Sequence, residues 1–257
     1  MGFTLDCETG KSTITSLSNG FSCSEEKLII TLQSIDIEDI YEKQWMQIDV
    51  PSEQYLYNYI LENIGPHDEL SNVYWFHLTR TTKDNMFHDG ILPLGESLSI
   101  IWDTILGVTE NNIIHANLLT MKNNGVQDDL YNLKVPDSFH WGPYAILVQD
   151  VAYYANQLGQ HDYLAMPEII EDICNGYEKQ FGTSIYQLYE EHLIPKSIKF
   201  KSSKYLDVGC IEAAIYHAYT TVKNKPVSGG SISCFDAKGK NIPATDIVSV
   251  IEICPKK

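Results

Sequence analysis

The sequence predicts an α+β fold. Helical and strand-like segments are intermixed along the chain without strict β-α-β alternation, which favours an α+β arrangement over a doubly wound parallel sheet. Of the 257 residues, 44% are hydrophobic and 20% are charged, an ordinary balance for a globular protein. No repeat, low-complexity tract or long linker divides the chain. We therefore expect residues 1–25 to be a candidate flexible segment and residues 26–257 to form a single domain with a mixed or split sheet flanked by helices.

The first half of the chain shows both periodicities. KLIITLQ (residues 27–33) is β-branched and alternating, and it predicts a strand. PSEQYLYNYILENIG (51–65) starts with Pro and Ser and ends on Gly, which is typical of a helix. YWFHLTRT (74–81) predicts a strand, and we expect it to be central in the sheet. ESLSIIWDTIL (96–106) places its apolar residues at helical spacing.

The second half begins and ends with predicted strands. GPYAILVQDVAYY (residues 142–154) predicts a strand that opens on Gly-Pro. Helical spacing and end signals predict three helices, which cover residues 167–181, 184–193 and 210–222. We expect residues 167–222 to form a helical cap or flank. GGSISCFDAKGKNIPATDIVSVIEI (229–253) returns to strands around a turn that contains Gly and Pro, and these strands should join the same sheet.

Charge and hydropathy restrict the class of protein. The formal net charge of −16 disfavours nucleic-acid binding by a broad basic face and leaves room only for a local basic groove. No apolar run approaches the length of a membrane span, and the N-terminus lacks the layout of a signal peptide. These features predict a cytoplasmic protein that makes no membrane contact.

Common motifs for metals and nucleotides are missing from the sequence. The six cysteines are scattered without a C-x-x-C pair, so we expect reduced and mostly buried thiols. The histidines show no spacing for metal ligands, and we predict no metal site. TGKST (residues 9–13) ends like a P-loop, but Leu5 stands where that motif needs its first glycine. We interpret this stretch as a solvated turn.

A polar cluster stands at the end of the aromatic strand YWFHLTR. Alternation puts His77 and Thr79 on one face of this strand, and the chain then reaches Gly90-Ile91-Leu92-Pro93 within ten residues of Arg80. A histidine at the end of an aromatic strand is often a hydrogen-bonded packing residue. A core strand does not need the whole cluster, however, and its order favours a binding site.

This order of residues resembles the first motif of the ADP-ribosyltransferase-like superfamily, in which a strand ending in His-x-Thr or His-x-Ser precedes Gly-Ile/Leu-x-Pro. The superfamily includes poly- and mono-ADP-ribosyltransferases, RNA 2′-phosphotransferases and bacterial toxins that modify DNA or RNA. SISCFDAKGKNIPATDIVSVIEI (residues 231–253) resembles the last strands of such folds. Together the two segments cover roughly a fifth of the chain. The resemblance implies an ADP-ribosyltransferase-like fold with NAD as the substrate.

The resemblance also implies roles for individual residues. His77 and Thr79 would hold the riboses of NAD, with His77 acting by hydrogen bonding and without a change of charge. Arg80 would form a bidentate contact with the pyrophosphate, and Gly90 would lie in the turn beside NAD. An aromatic side chain would contact the nicotinamide. The candidates for this contact are Tyr144, Tyr153 and Tyr154.

The catalytic carboxylate is not identified by the resemblance. Many members of the superfamily carry a glutamate at the strand that corresponds to SISCF, whereas this chain has Ser-Gly-Gly-Ser at residues 228–231. Glu212 is offset from the apolar stripe of a predicted helix, and Glu252 lies on the last predicted strand; we take both as candidate catalytic residues. Glu168 opens a helix, where an acid simply complements the helix dipole.

Two functions follow as hypotheses. The first is an NAD-consuming ADP-ribosyltransferase, a glycosyltransferase by reaction class, that modifies a protein or a nucleic acid. Such an enzyme would act as a bacterial toxin or phage-defence effector and would have an inhibitor or antitoxin as a partner. The second is a catalytically inert acidic binding or immunity protein that masks a basic partner.

Overall fold

The computed structural model describes residues 2–44 and 46–253. The strands in this part of the chain are β1 (Phe3–Leu5), β2 (Leu70–Thr81), β3 (Tyr144–Ile146), β4 (Ile194–Ser202), β5 (Cys234–Asp236) and β6 (Ile247–Glu252). The α-helices are α1 (Gly10–Gly20), α2 (Glu25–Gln33), α3 (Ile37–Gln44), α4 (Ser52–Asn63), α5 (Leu94–Gly107), α6 (Asn112–Asn124), α7 (Asp129–Lys134), α8 (Glu168–Phe181), α9 (Tyr186–His192) and α10 (Val208–Val222). The predicted α+β class is confirmed.

The strands of the described residues form one mixed sheet. Its order is β5-β3-β2-β4-β6, and β1 also pairs with β2. β1 runs parallel to β2, whereas β2 and β3 are antiparallel and pair Phe76 with Ile146. The prediction that YWFHLTR is a central strand is confirmed. The strands expected near GPYAILV, SISCF and IVSVIEI belong to the same sheet, although β3 and β5 have only three residues each. The predicted strand at residues 142–154 is wrong after Ile146, because Gln149–Leu158 forms a 3₁₀ helix.

The chain groups into two compact units, whereas the sequence predicts one domain over residues 26–257. Unit 1 consists of Met1–Phe76, Ala145–Gln160 and Phe200–Phe235. Unit 2 consists of His77–Tyr144, His161–Lys199 and Asp236–Lys257. Each unit therefore draws on three separate stretches of the chain.

The N-terminal 25 residues, a candidate flexible segment in the sequence, form β1 and α1 in unit 1. Leu5 and Leu17 are fully buried, so this segment contributes to the core of the unit. TGKST does not form the solvated turn that we expected. Thr9 is the N-cap of α1 and forms a capping box with Ser12, and Thr13 is fully buried within the helix.

The predicted strand KLIITLQ is wrong, because this stretch lies in helix α2. Ser24 caps the helix by accepting a hydrogen bond from the backbone N–H of Lys27, and two glutamates occupy the first turn. Leu28 and Leu32 are fully buried at helical spacing. The cap and this spacing outweigh the β-branched composition. Helix α10 packs against α1, α2 and α4 to form the helical part of unit 1.

Unit 2 has a hydrophobic core formed mainly by its helices α5 to α9. Its largest members include Trp102, Tyr177 and Tyr189, all of them buried. Strand β4 interrupts the expected helical region at 167–222. The sequence IPKSIKFKS has no simple apolar alternation because Lys196 and Lys199 lie among the buried residues of the strand.

Most of the cysteines that the structure describes are buried, as the sequence predicts. The cysteines of the described residues carry free thiols: Cys7, Cys174 and Cys210 are buried, Cys23 is half-buried and Cys234 is exposed. Cys254 lies outside the described residues. Over residues 2–44 and 46–253, no helix has both the length and the apolar character needed to cross a membrane.

Candidate functional site

A cleft of about 460 Å³ lies in unit 2, within the size range of small-molecule sites. It is lined by the end of β2, by the loop of residues 82–90, by one side of α5 from Leu94 to Thr104, and by the first turn of α8. We call residues 82–90 the cleft loop. Four residues that the sequence assigns to NAD contacts, His77, Thr79, Arg80 and Gly90, line this cleft, and so does Tyr144, one of the three aromatic candidates.

His77 is held in one orientation by the backbone. Its Nδ1 atom lies 2.7 Å from the carbonyl oxygen of Tyr144 and, because a carbonyl only accepts, Nδ1 carries the proton. Burial lowers the pKa of His77 below its ordinary value of 6.5 and outweighs this hydrogen bond, which acts in the opposite direction. The neutral ring therefore presents Nε2 as a hydrogen-bond acceptor.

The strand alternation predicted around His77 continues to the end of β2. His77 and Thr79 are partly exposed, whereas Leu78 and Arg80 between and after them are buried. Adjacent side chains of a strand point to opposite faces, so His77 and Thr79 share a face with the buried Trp75 and are themselves only partly exposed. The structure thus gives the cleft two neighbouring polar side chains on a rigid element.

Arg80 has a structural role that the sequence did not indicate. Its Nε, Nη1 and Nη2 atoms donate to the carbonyl oxygens of Leu193, Ala165 and Glu190 at 3.1, 2.9 and 2.7 Å. It is the only arginine in the chain. Its side chain thereby links the backbone at Ala165 to the backbone at residues 190–193. Burial lowers the pKa of Arg80, but a guanidinium remains protonated in proteins. These bonds use three of its five N–H groups.

Gly90 closes the cleft loop in a conformation that requires glycine. Its φ angle is +85°, and a Cβ atom there would lie 2.2 Å from the carbonyl oxygen of Ile242. The next residue, Ile91, pairs with Ile242 in an antiparallel bridge. The Gly-Ile-Leu-Pro stretch is therefore a turn anchored to the C-terminal part of unit 2.

Aromatic side chains stand along the cleft. Tyr144 is 40% exposed, and its hydroxyl group donates to the carbonyl oxygen of Phe139 at 3.4 Å. Burial raises the pKa of Tyr144, with Asp236 and Glu168 adding to the effect, so the phenol is neutral. Trp141 also lines the cleft. The alternatives Tyr153 and Tyr154 lie in a 3₁₀ helix of unit 1, at Gln149–Leu158, and do not line it.

A carboxylate does enter the cleft, and it belongs to Glu168. Its Oε1 atom accepts from the hydroxyl group of Tyr163 at 2.8 Å, and its Oε2 atom lies 2.9 Å from Nζ of Lys134. Lys134 also contacts Asp172 at 2.8 Å. All of these except Asp172 line the cleft. Burial acts to raise the pKa of Glu168, but the bonds from Lys134 and Tyr163 outweigh it, so the pKa is lowered and the carboxylate is ionised.

The two other acids named from the sequence do not line the cleft. Glu212 lies on α10 in unit 1, where burial followed by the charges of Glu53 and Asp207 raises its pKa. Glu252 is exposed at the end of β6. From the sequence, Glu168 has only a helix-dipole role, because Lys134 belongs to helix α7 and no local pattern joins it to Glu168 and the nearby Tyr163.

The cations of the cleft are already engaged. Lys134 is paired with two carboxylates, and this raises its pKa although burial acts to lower it. The guanidinium of Arg80 is bonded to three carbonyls. Two exposed acids, Asp84 and Asp89, belong to the cleft loop and also line the cleft. An anion in the cleft would therefore meet no unpaired lysine among the described residues that line it, and Arg80 would offer it only its remaining N–H groups.

Neither a metal site nor a similarity to known proteins identifies what binds in the cleft. Across the described part of the chain, no group of three or more His, Cys, Asp or Glu side chains is arranged to hold a metal ion. Comparison of the chain with protein-family models, with curated proteins and with solved structures gave no match.

Proposed function

We propose that the cleft binds NAD and that the protein is an NAD-consuming ADP-ribosyltransferase, similar in fold to that superfamily, which modifies a protein or nucleic acid. One observation carries this proposal: His77, Thr79, Arg80 and Gly90, selected from a sequence resemblance, line a single cleft together with Tyr144, one of the three aromatic candidates. A cytoplasmic toxin or phage-defence effector, restrained by an inhibitor or antitoxin, is the biological role that this activity fits.

The proposed reaction breaks the bond between the nicotinamide nitrogen and C1′ of the ribose. A new bond joins C1′ to the acceptor nucleophile, nicotinamide leaves with the electron pair, and the acceptor loses a proton. The sugar passes through an oxocarbenium-like state, so fixed hydrogen bonds to its hydroxyl groups and a nearby carboxylate stabilise the developing charge. His77 would accept a hydrogen bond from a ribose hydroxyl group through Nε2, and Thr79 would brace the neighbouring contact.

Glu168 is the carboxylate that we assign to this role in place of Glu212 and Glu252. It is ionised, it lines the cleft, and the hydroxyl group of Tyr163 and the ammonium group of Lys134 hold its oxygens in place. A preoriented negative charge stabilises a developing positive charge without reorganisation during the reaction. Tyr144 would stack on the nicotinamide from its partly exposed position.

A second candidate function is favoured by the charges of the cleft. Lys134 and Arg80 are engaged, whereas Asp84 and Asp89 are exposed, so a cationic ligand would meet fewer like charges than the pyrophosphate of NAD. Together with the net charge of −16, this supports the inert acidic binding protein that masks a basic partner.

Labelled NAD distinguishes the two functions. The purified protein is incubated with NAD labelled in its adenylate part and with cell extract, and the label on protein and on nucleic acid is counted separately. In the transferase, His77→Ala should lower the transfer at least tenfold, because a loss of about 1.4 kcal/mol of transition-state binding has that effect. Thr79→Val should have a smaller effect, since it keeps the shape and deletes one hydroxyl group.

His192→Ala is the matched control. Nδ1 of His192 also lies 2.7 Å from a backbone carbonyl oxygen, that of Leu188, but His192 is exposed and does not line the cleft. Both variants lose a comparable hydrogen bond, so only a role in the cleft separates their activities. Unchanged NAD turnover in folded His77→Ala would refute the proposed site and leave the binding protein as the better interpretation.

A further inference from the structure

A fully buried lysine, Lys196, donates hydrogen bonds to the backbone of the cleft loop. Lys196 lies on β4 and is 0% exposed. Its Nζ atom donates to the carbonyl oxygens of Lys83 and Asn85 at 2.8 and 2.7 Å. Lysine is almost never fully buried unless its ammonium group is paired, and here backbone carbonyls of the cleft loop are the hydrogen-bond partners.

The first half of the cleft loop makes few other hydrogen bonds. Asn85 bonds to Thr81 through its side-chain amide and accepts from the backbone N–H of Phe87. A backbone bond from Gly90 to Phe87 closes the second half, and the bridge at Ile91 follows. Phe87 adopts a φ of +57°, which is uncommon for a bulky residue. The loop is therefore irregular backbone whose local bonds span only a few residues.

We propose that Lys196 is a positioning residue for the cleft: its ammonium group fixes the carbonyls of Lys83 and Asn85 and thereby sets the position of the loop that forms one wall. Asp84, between these two residues, lines the cleft, as do Asn85, Phe87 and Gly90. A shift of the loop backbone would move these groups together. Lys196 would position this wall of the cleft whichever ligand the cleft binds.

The environment of Lys196 agrees with such a role. Burial lowers the pKa of its amine, and the carboxylates of Glu252 and Asp84 act in the opposite direction. A hydrogen bond from a charged donor is roughly twice as strong as a neutral one, and replacing the donor leaves two carbonyls without it. Removal of the ammonium group should therefore loosen the loop before it affects the rest of unit 2.

Amide hydrogen exchange measures this effect without any ligand. In Lys196→Met, which keeps much of the side-chain length and lacks donors, the amides of Asn85, Phe87 and Gly90 should exchange at least tenfold faster than in the wild type. Amides in helix α8 should change less than threefold. Lys196→Arg keeps donors at this position and should retain most of the protection. Lys201→Met, at an exposed position on the same strand, is the control.

Two results would overturn the proposal. One is unchanged exchange of the loop amides in folded Lys196→Met. The other applies even if that variant does not fold: in wild-type protein with ¹⁵N-labelled lysine, the ammonium protons of Lys196 should exchange with water at least tenfold more slowly than those of exposed Lys83. Equal rates would show that Nζ is not held by the carbonyls.

An additional test of this inference rests on the proposed function. If NAD binds the wild type, Lys196→Met should weaken NAD binding at least tenfold, and Lys196→Arg should restore most of the affinity. Failure of NAD to bind the wild type would count against the transferase alone, because the exchange measurements on the loop do not involve NAD.

Discussion

Nδ1 of His77 donates to the backbone carbonyl oxygen of Tyr144 at 2.7 Å, and this bond determines which ring nitrogen is available to a ligand. Tyr144 itself lines the cleft, so two residues assigned to NAD from separate parts of the sequence are directly bonded. The bond fixes the ring orientation before any ligand arrives. Preorganisation of this kind reduces the entropy lost when a ligand binds.

The lowered pKa of His77 predicts a pH dependence of stability. Because burial depresses the pKa in the folded state, the neutral ring contributes its full stability above the unfolded value, about 6.5, and this contribution is lost as the pH falls toward the folded pKa. The free energy of unfolding of the wild type should therefore decline on acidification below that value. Urea titrations at several pH values should show a smaller decline in His77→Asn. An equal decline would contradict the assignment.

Glu168→Gln tests which carboxylate takes part in the reaction. The change removes the negative charge and keeps the shape, so transfer should fall by about 100-fold, a loss typical of one preorganised electrostatic group. The Kd for NAD should change little, since the charge acts mainly on the transition state.

Glu212→Gln and Glu252→Gln serve as the comparison for Glu168→Gln. Neither residue lines the cleft, and both variants should transfer ADP-ribose at the wild-type rate. A large loss in either variant, with Glu168→Gln active, would restore the assignment made from sequence.

Arg80→Lys should destabilise the protein itself. An ammonium group cannot reach the three carbonyls that the guanidinium contacts, and buried carbonyls would lose their partners. We expect the free energy of unfolding to fall by about 2 to 4 kcal/mol. Urea denaturation without NAD measures this loss. A variant with wild-type stability and weaker NAD binding would instead support a contact with the pyrophosphate alone.

Gly90→Ala and Gly182→Ala together isolate the close approach of the cleft turn to Ile242. Both glycines have positive φ angles, +85° and +72°, but only at Gly90 would a Cβ meet backbone. Gly182→Ala should cost about 1 kcal/mol from its backbone conformation, and Gly90→Ala about 3 kcal/mol or more. Thermal denaturation of both variants gives the comparison. Equal losses would mean that the turn can shift away from Ile242.

Local patterns predicted five of the described α-helices, α4, α5, α8, α9 and α10, but did not predict α1, α3, α6 and α7. The strand around His77 and the helices after Pro93 and Pro167 follow from apolar spacing and end signals. The strand prediction for KLIITLQ was wrong because it relied on β-branched composition and overlooked the N-cap of helix α2. Strand β4 was missed because it buries lysines, which no pattern of apolar residues can reveal.

The candidate site could likewise be predicted only where its residues lie close together in sequence. The residues near one another in sequence, His77 to Arg80, were found together because a strand keeps them together. Lys134 reaches Glu168, the hydrogen-bond partner of the nearby Tyr163, only through tertiary packing, and each of the three alone has an ordinary surface or helix-end explanation. The bonding of Arg80 to three carbonyls likewise depends on segments more than 80 residues away in sequence.

The division of each unit among three stretches has a consequence for synthesis on the ribosome. Unit 1 needs Phe200–Phe235 and unit 2 needs Asp236–Lys257, so neither has all of its chain until these late stretches have been synthesised. Helices α1, α2 and α4 must then wait, with apolar faces uncovered, until their partner α10 has been synthesised, a state in which nascent chains aggregate or engage chaperones. A nascent chain halted before residue 200 should accordingly remain sensitive to protease in α1, α2 and α4, which lack α10.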